Sequence, residues 1–157
     1  MKKLLCFFAV CFLFTLPAFL FAQTAVEIEE ILDADVMSYG KAVSFILRAA
    51  DVSDTAGNLD FNDSKAAFEF AANRKWLPGA VASGDSLNLE GLSLLLMKSF
   101  GLKGGMFYSL SQSPHYAYRE LLYKDIIQGR VDPEMTVSGD LFLFLVSRMV
   151  SMQEGED

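Results

Sequence analysis

The sequence predicts an all-α protein, a bundle of helix-loop-helix repeats. Three observations carry that expectation. The stretches around Ser38, Asn88 and Ser138 align at a period of 50 residues, each with an apolar residue (Met37, Leu87, Val137), a short polar residue and then a mostly apolar run. A cation closes each run ten residues after the polar one, at Arg48, Lys98 and Arg148. A polar residue opening an apolar stretch is an N-cap signal, and a late cation suits the negative end of the helix dipole. Finally, self-similarity at fixed period denotes one supersecondary unit copied, each copy needing its neighbours to bury its apolar face.

The elements follow in order. Residues 23–35 place Val26, Ile28, Ile31 and Leu32 among five acidic residues, the spacing of an N-terminal arm or short amphipathic helix. Ser38 opens the first long helix, which runs to about Ala50, and residues 51–58 are a loop by composition. A second helix covers Ser64 to Lys75 and stops at Trp76-Leu77-Pro78-Gly79. Asn88 caps a third helix to about Phe100, closed by Gly101 and Gly104-Gly105. A Ser-rich loop with Pro114 leads to a helix from Tyr116 to Ile127, ending at Gly129. After the Asp132-Pro133 turn, Ser138 opens the last helix, to about Met152, and 153–157 form an acidic tail.

The run Leu141–Val146 reads as a buried strand in isolation. Its register, between a cap and a cation and equivalent to Leu92–Met97, makes it a helix apolar nearly all round, which belongs in the middle of a domain. Three such helices are expected at the centre, with Ser64–Lys75 and Tyr116–Ile127 packed outside.

The N-terminus has a different organisation. Met1-Lys2-Lys3 precedes an apolar run ending in Leu20-Phe21-Ala22, after which the chain turns polar. This is the layout of a secretory signal peptide cleaved after Ala22. The rival is an uncleaved anchor; the small residue followed at once by polar and acidic sequence favours removal. Both cysteines, Cys6 and Cys11, lie within this segment, preceded by Leu5 and Val10, so neither fits a lipidation pattern. The mature chain is expected to be exported, periplasmic or at the cell surface, with no thiol and no stable membrane span. Its core alone must hold it together.

Removing Lys2 and Lys3 from 13 basic residues leaves 11 against 20 acidic ones, a net charge of −9. That acidity argues against nucleic acid and anionic lipid surfaces as partners. A basic protein partner is compatible with it, and so is plain solubility.

The pattern resembles the S-layer homology domain, whose unit of about fifty residues begins aromatic-x-Asp and passes through a helix and a Gly-Ile-Ile-x-Gly-type turn. A loop and Ile-Thr-Arg-Ala-Glu then open its second helix. Phe61-Asn62-Asp63 resembles the start, and Asp125-Ile126-Ile127-Gln128-Gly129 the turn. Lys75-Trp76-Leu77-Pro78-Gly79 occupies the turn's place fifty residues earlier. Leu87-Asn88 and Val137-Ser138 resemble the opening of the second helix, and the late cations match a family habit. The resemblance covers about residues 36–152, as repeats of about 36–57, 58–105 and 106–152, the first lacking its outer helix. It implies a pseudo-threefold arrangement of the repeats and a non-catalytic envelope-binding module that attaches to cell-wall polysaccharide or peptidoglycan. The alternative is an assembly subunit that keeps the fold and binds an envelope protein. The departures motivate this alternative: the family's Arg is replaced by Tyr39, Leu89 and Gly139, and its Glu by Lys41, Gly91 and Leu141.

No residue pattern indicates an enzyme, a cofactor or a metal. His115 is the only histidine, and its Ser113-Pro114-His115-Tyr116 context is that of a helix start, so a surface or capping role is expected. Asp51, Asp54, Asp60 and Asp63 lack the Glu that completes a calcium loop. Gly101-Leu102-Lys103-Gly104-Gly105 follows a helix, so it reads as a C-cap, not a phosphate loop. The ligand-binding candidates are Trp76, expected to be exposed beside its Pro-Gly turn, Tyr116, and Arg119 with Arg130, whose guanidinium groups suit an anionic ligand. Tyr108, Tyr118 and Tyr123 join Trp76 and Tyr116 either in a sugar-stacking platform or in packing between inner and outer helices. Arg48, Lys98 and Arg148 are expected to neutralise helix ends.

Overall fold

The computed structural model describes residues 25–52, 60–129 and 131–155. The signal-peptide reading, Arg130, part of the 51–58 loop and the last two residues of the acidic tail lie outside them.

The described residues fold as an all-α structure. Helix α1 spans residues 25–32. It is followed by α2 (Tyr39–Ala49), α3 (Ser64–Asn73), α4 (Leu89–Ser99), α5 (Met106–Ser111), α6 (Pro114–Tyr123) and α7 (Gly139–Glu154). The run Leu141–Val146 is helical, as its register required. The core is built from the inward faces of α2, α4 and α7: Ala42 and Ile46, Leu92 and Leu96, Phe142 and Val146 are all buried. α3 packs on α2, and α5 and α6 pack together beside α4.

A ring of backbone hydrogen bonds ties the three central helices together at their starts. Met37 N–H donates to the Val137 carbonyl (2.8 Å), Val137 N–H to Leu87 (2.9 Å), and Leu87 N–H back to Met37 (2.8 Å). Each bond joins a pair of residues fifty or a hundred apart, and the ring closes on itself. The next turn repeats the pattern: Tyr39 N–H reaches the Asp85 carbonyl (3.1 Å), Leu89 that of Met135 (3.0 Å) and Gly139 that of Ala34 (2.9 Å). The first N–H groups of a helix have no partner within it, so these contacts satisfy donors that burial leaves in need.

The three caps differ in their side chains. Ser38, Asn88 and Ser138 all occupy N-cap positions with extended backbone, but only Asn88 caps with its side chain, accepting from Gly91 N–H at 2.9 Å. The loop carbonyls of Asp85 and Ser83 take the first two donors of α2, as those of Met135 and Pro133 do at α4. The Ser138 hydroxyl instead hydrogen-bonds the Asp140 carboxylate, and that bond is the main cause holding the carboxyl below its ordinary range.

Four helices end alike. Asp51, Lys75, Gly101 and Asp125 adopt left-handed backbone (φ 48°, 58°, 63° and 57°). In each case the following N–H bonds back to a carbonyl five residues earlier, from Val52, Trp76, Leu102 and Ile126. This is a Schellman closure, and its apolar residue after the turn folds back onto the helix. Three of the four positions hold a side chain where glycine is the unstrained choice. Lys75→Gly is therefore expected to stabilise the protein by roughly 0.5–1 kcal/mol, the relieved strain outweighing the extra freedom of the unfolded chain. A higher urea midpoint at unchanged slope checks it.

Three boundaries differ from the sequence reading. The segment read as a Ser-rich loop contains α5, and α6 runs from Pro114 to Tyr123 instead of Tyr116 to Ile127. Ser113 caps α6 and Pro114 occupies its first turn, where a missing N–H costs nothing, while the left-handed Asp125 turn ends it early. α7 continues to Glu154, so Arg148 sits well before the last turn and the presumed acidic tail begins inside the helix.

α7 also differs on its outward side. Positions 44 and 47 on α2, and 94 and 97 on α4, are buried; at 144 and 147 stand Phe144, 47% exposed, and an exposed Ser147. On α2 that side faces the start of α3, with the Ser44 hydroxyl donating to the Phe61 carbonyl at 2.6 Å. α1 lies against α2 through the Glu27–Arg48 pair and a Lys41–Glu30 bridge of 2.6 Å, and sends Ile31 into the core.

Candidate functional site

The most distinctive surface forms where α4, α5 and α6 meet. Gly104 permits it: a Cβ there lies 2.5–2.8 Å from the Tyr108 ring and its Cβ, so only glycine lets Tyr108 fold inward. With Tyr108 buried, the short α5 throws Met106, Phe107 and Leu110 outward, exposed by 76%, 60% and 87%. A left-handed Gln112 (φ 48°) then reverses the chain into α6. The Phe107 ring lies nearly parallel to that of Tyr116, at 5.7 Å and 13°. His115 meets Tyr116 edge-on at 5.7 Å, and its Nδ1 is 3.0 Å from Glu90 Oε1 in the first turn of α4. Two stacked rings thus stand beside an imidazole and a carboxylate. Such a surface can cover the apolar face of a sugar and hydrogen-bond its hydroxyls, or seat an apolar side chain of a protein.

The predicted site residues separate. Tyr116 belongs to the stacked face, half-buried. Arg119 is exposed on α6, one turn further along. Trp76 is half-buried, not exposed: its ring stands edge-on to Phe70 (5.7 Å, 87°), and Phe70 edge-on to Phe61 (5.2 Å, 61°). The Arg74 guanidinium lies over both Phe70 and Trp76, at 4.4 and 5.5 Å. No ring contact or hydrogen bond joins Trp76 to Tyr116 or Arg119 among the described residues. The five aromatic candidates therefore make no single platform. Tyr108 and Tyr118 are core residues, the latter donating its hydroxyl to the Val131 carbonyl, and Tyr123 stands exposed by itself at the end of α6. His115 has the expected surface place, although Ser113 is the cap.

The three late cations serve as cross-links between segments. Arg48 pairs with Glu27 of α1 and covers the Phe45 ring. Lys98 bonds Gln112 at the α5–α6 joint, and burial lowers its pKa. Arg148 donates to the Asp125 carbonyl at 2.7 Å, so it does meet a helix end, but that of α6 and not its own.

Sequence reasoning missed Met106, Phe107, Leu110 and Glu90. The available signal was the pair of glycines before an apolar i, i+1, i+4 pattern at 106, 107 and 110. Burial is also the first cause pushing the Tyr108 phenol up to about 12 from its ordinary 10.0, with the Glu120 carboxylate adding to it. A group whose folded pKa is raised keeps its contribution to stability below the unfolded value and loses it as pH climbs through the folded one. Stability is thus expected to fall between about pH 10 and pH 12, and less steeply in Tyr108→Phe. Urea midpoints across that range check it.

Among the described residues no group of His, Cys, Asp and Glu is placed to hold a metal ion, and no helix is long and apolar enough to cross a membrane. No protein-family model, curated protein or solved structure matches the chain.

Proposed function

We propose that this protein is a non-catalytic, exported binding module of the cell envelope, built on an S-layer-homology-like pseudo-threefold bundle and attaching to cell-wall glycan or peptidoglycan. One observation carries the reading: the closed backbone ring through Met37, Leu87 and Val137, at the positions where the resemblance opens each repeat's second helix. The helix ends support it, since the left-handed residues pair at a spacing of 50, Asp51 with Gly101 and Lys75 with Asp125. Export rests on the signal-peptide layout of residues 1–22.

The ligand face in this reading is the Phe107–Tyr116 stack with His115, Glu90 and Arg119. Co-sedimentation of the mature chain with purified sacculi tests it. Wild type is expected to pellet, with Phe107→Ala and Arg119→Ala each weakening retention by about tenfold, near 1.4 kcal/mol. No retention, or full retention of both variants, contradicts the reading.

The exposure of Met106 and Leu110 beside Phe107 favours a second reading, a protein-interaction subunit of the envelope with the same fold. A photo-crosslinker at position 110 then yields one specific protein adduct in cells, and sacculi binding is absent.

A further inference from the structure

A groove of about 410 Å³ lies on another part of the molecule, between the ends of α4 and α6 and the C-terminal half of α7. Its apolar side is Phe100 and Leu102 from the α4 closure, with Met149 and Met152 from α7. Lys103 and Lys124 flank it, and no carboxylate of the described residues lines it. Neither lysine has an ion-pair partner among the described residues, in a chain whose acidic residues outnumber its basic ones by 20 to 13. Comparison with the position fifty residues earlier is informative. There Arg74 is engaged, lying over Phe70 and Trp76. At Lys124 the equivalent residues are Glu120 and Ile126, so no ring lies beneath the cation, and Glu120 is turned to Gly105, with Oε1 3.0 Å from a Cβ built there.

The geometry points to a binding site for a single-chain acyl carboxylate, its chain along Leu102 and Met152 and its head between the Lys103 and Lys124 ammonium groups. The volume falls in the range of small-molecule sites. Methionine adapts to a flexible chain, having three rotatable bonds and a polarizable sulfur. The lysine stems add apolar wall while their charges stay at the rim. The long-range field of an acidic protein repels anions, so the head group is recognised at contact and the chain supplies the rest. This site shares no residue with the Phe107–Tyr116 face and stands independently of the glycan reading.

Decanoate is the probe, with the mature protein labelled at its methionine methyl groups. Decanoate is expected to shift the Met152 signal in a saturable way, and decanol to bind at least about tenfold more weakly. The double variant Lys103→Gln/Lys124→Gln is expected to weaken decanoate by about tenfold or more while leaving decanol unchanged. Unchanged far-UV dichroism confirms that the variant is folded. Absence of shifts at millimolar decanoate, equal binding of decanol, or undiminished binding by the double variant overturns the assignment.

Discussion

Gly139→Ala is expected to cost on the order of 3 kcal/mol or more, at the upper end of what overpacking does. A Cβ at this position runs into the carbonyl oxygen of Ile31, with the carbonyl carbon 2.6 Å away and the Ala34 carbonyl oxygen at 3.3 Å. All three obstacles are backbone, so no rotamer change relieves them. The shift must instead move residues 31–34 off the start of α7, which also breaks the 2.9 Å bond from Gly139 N–H to the Ala34 carbonyl and draws Ile31 out of the core. Gly91→Ala is the informative contrast. There the Cβ meets the Tyr39 hydroxyl, with Asn88 Oδ1 2.8 Å away. The first obstacle is the far end of a side chain, so Tyr39→Phe is expected to restore part of the loss in the double variant. Urea midpoints of the four proteins check both statements, and an alanine at 139 with wild-type stability contradicts the packing described here.

Phe142→Ala is expected to cost about 3–5 kcal/mol, the range for removing a buried aromatic side chain. Phe142 is fully buried at the inward face of α7 and meets Phe45 of α2 edge-on, at 5.6 Å and 69°. It joins two of the three central helices, so the cavity left behind cannot close without moving one of them. Phe144 stands two residues further on the same helix, about half exposed beneath the Arg148 guanidinium (5.6 Å). Phe144→Ala is expected to cost less than about 1 kcal/mol. Similar losses from the two variants would mean that the inward face of α7 is misassigned.

Much of the bundle could be read directly from residue chemistry. Apolar residues at 42, 46, 92, 96, 142 and 146 repeat at helical and fifty-residue spacing, and a helix whose core face is continuous declares itself that way. The left-handed closure at Gly101 was readable for the same reason, since glycine removes the steric cost. Its counterparts at Asp51, Lys75 and Asp125 were not, because their side chains conceal a conformation enforced by the apolar residue that follows. α5 escaped notice because six residues are too few to show a period, and its burial depends on a single tyrosine folding against Gly104. The Phe107–Tyr116 face was hidden for a similar reason: its rings come from different helices, and Glu90 reaches His115 across 25 residues. Side-chain patterns say nothing of such pairings, nor of the backbone ring, which uses only N–H and carbonyl groups that every residue has.

That ring is what makes three helices one cooperative body, and amide hydrogen exchange of Met37, Leu87 and Val137 tests it most directly. The three N–H groups are expected to exchange together, slowly, and only through global unfolding, each rate rising in step when Phe142→Ala lowers the stability of the whole. Exchange of any one of them orders of magnitude faster than the other two, in the intact protein, would show that the ring is open there and the three helices are not mutually closed.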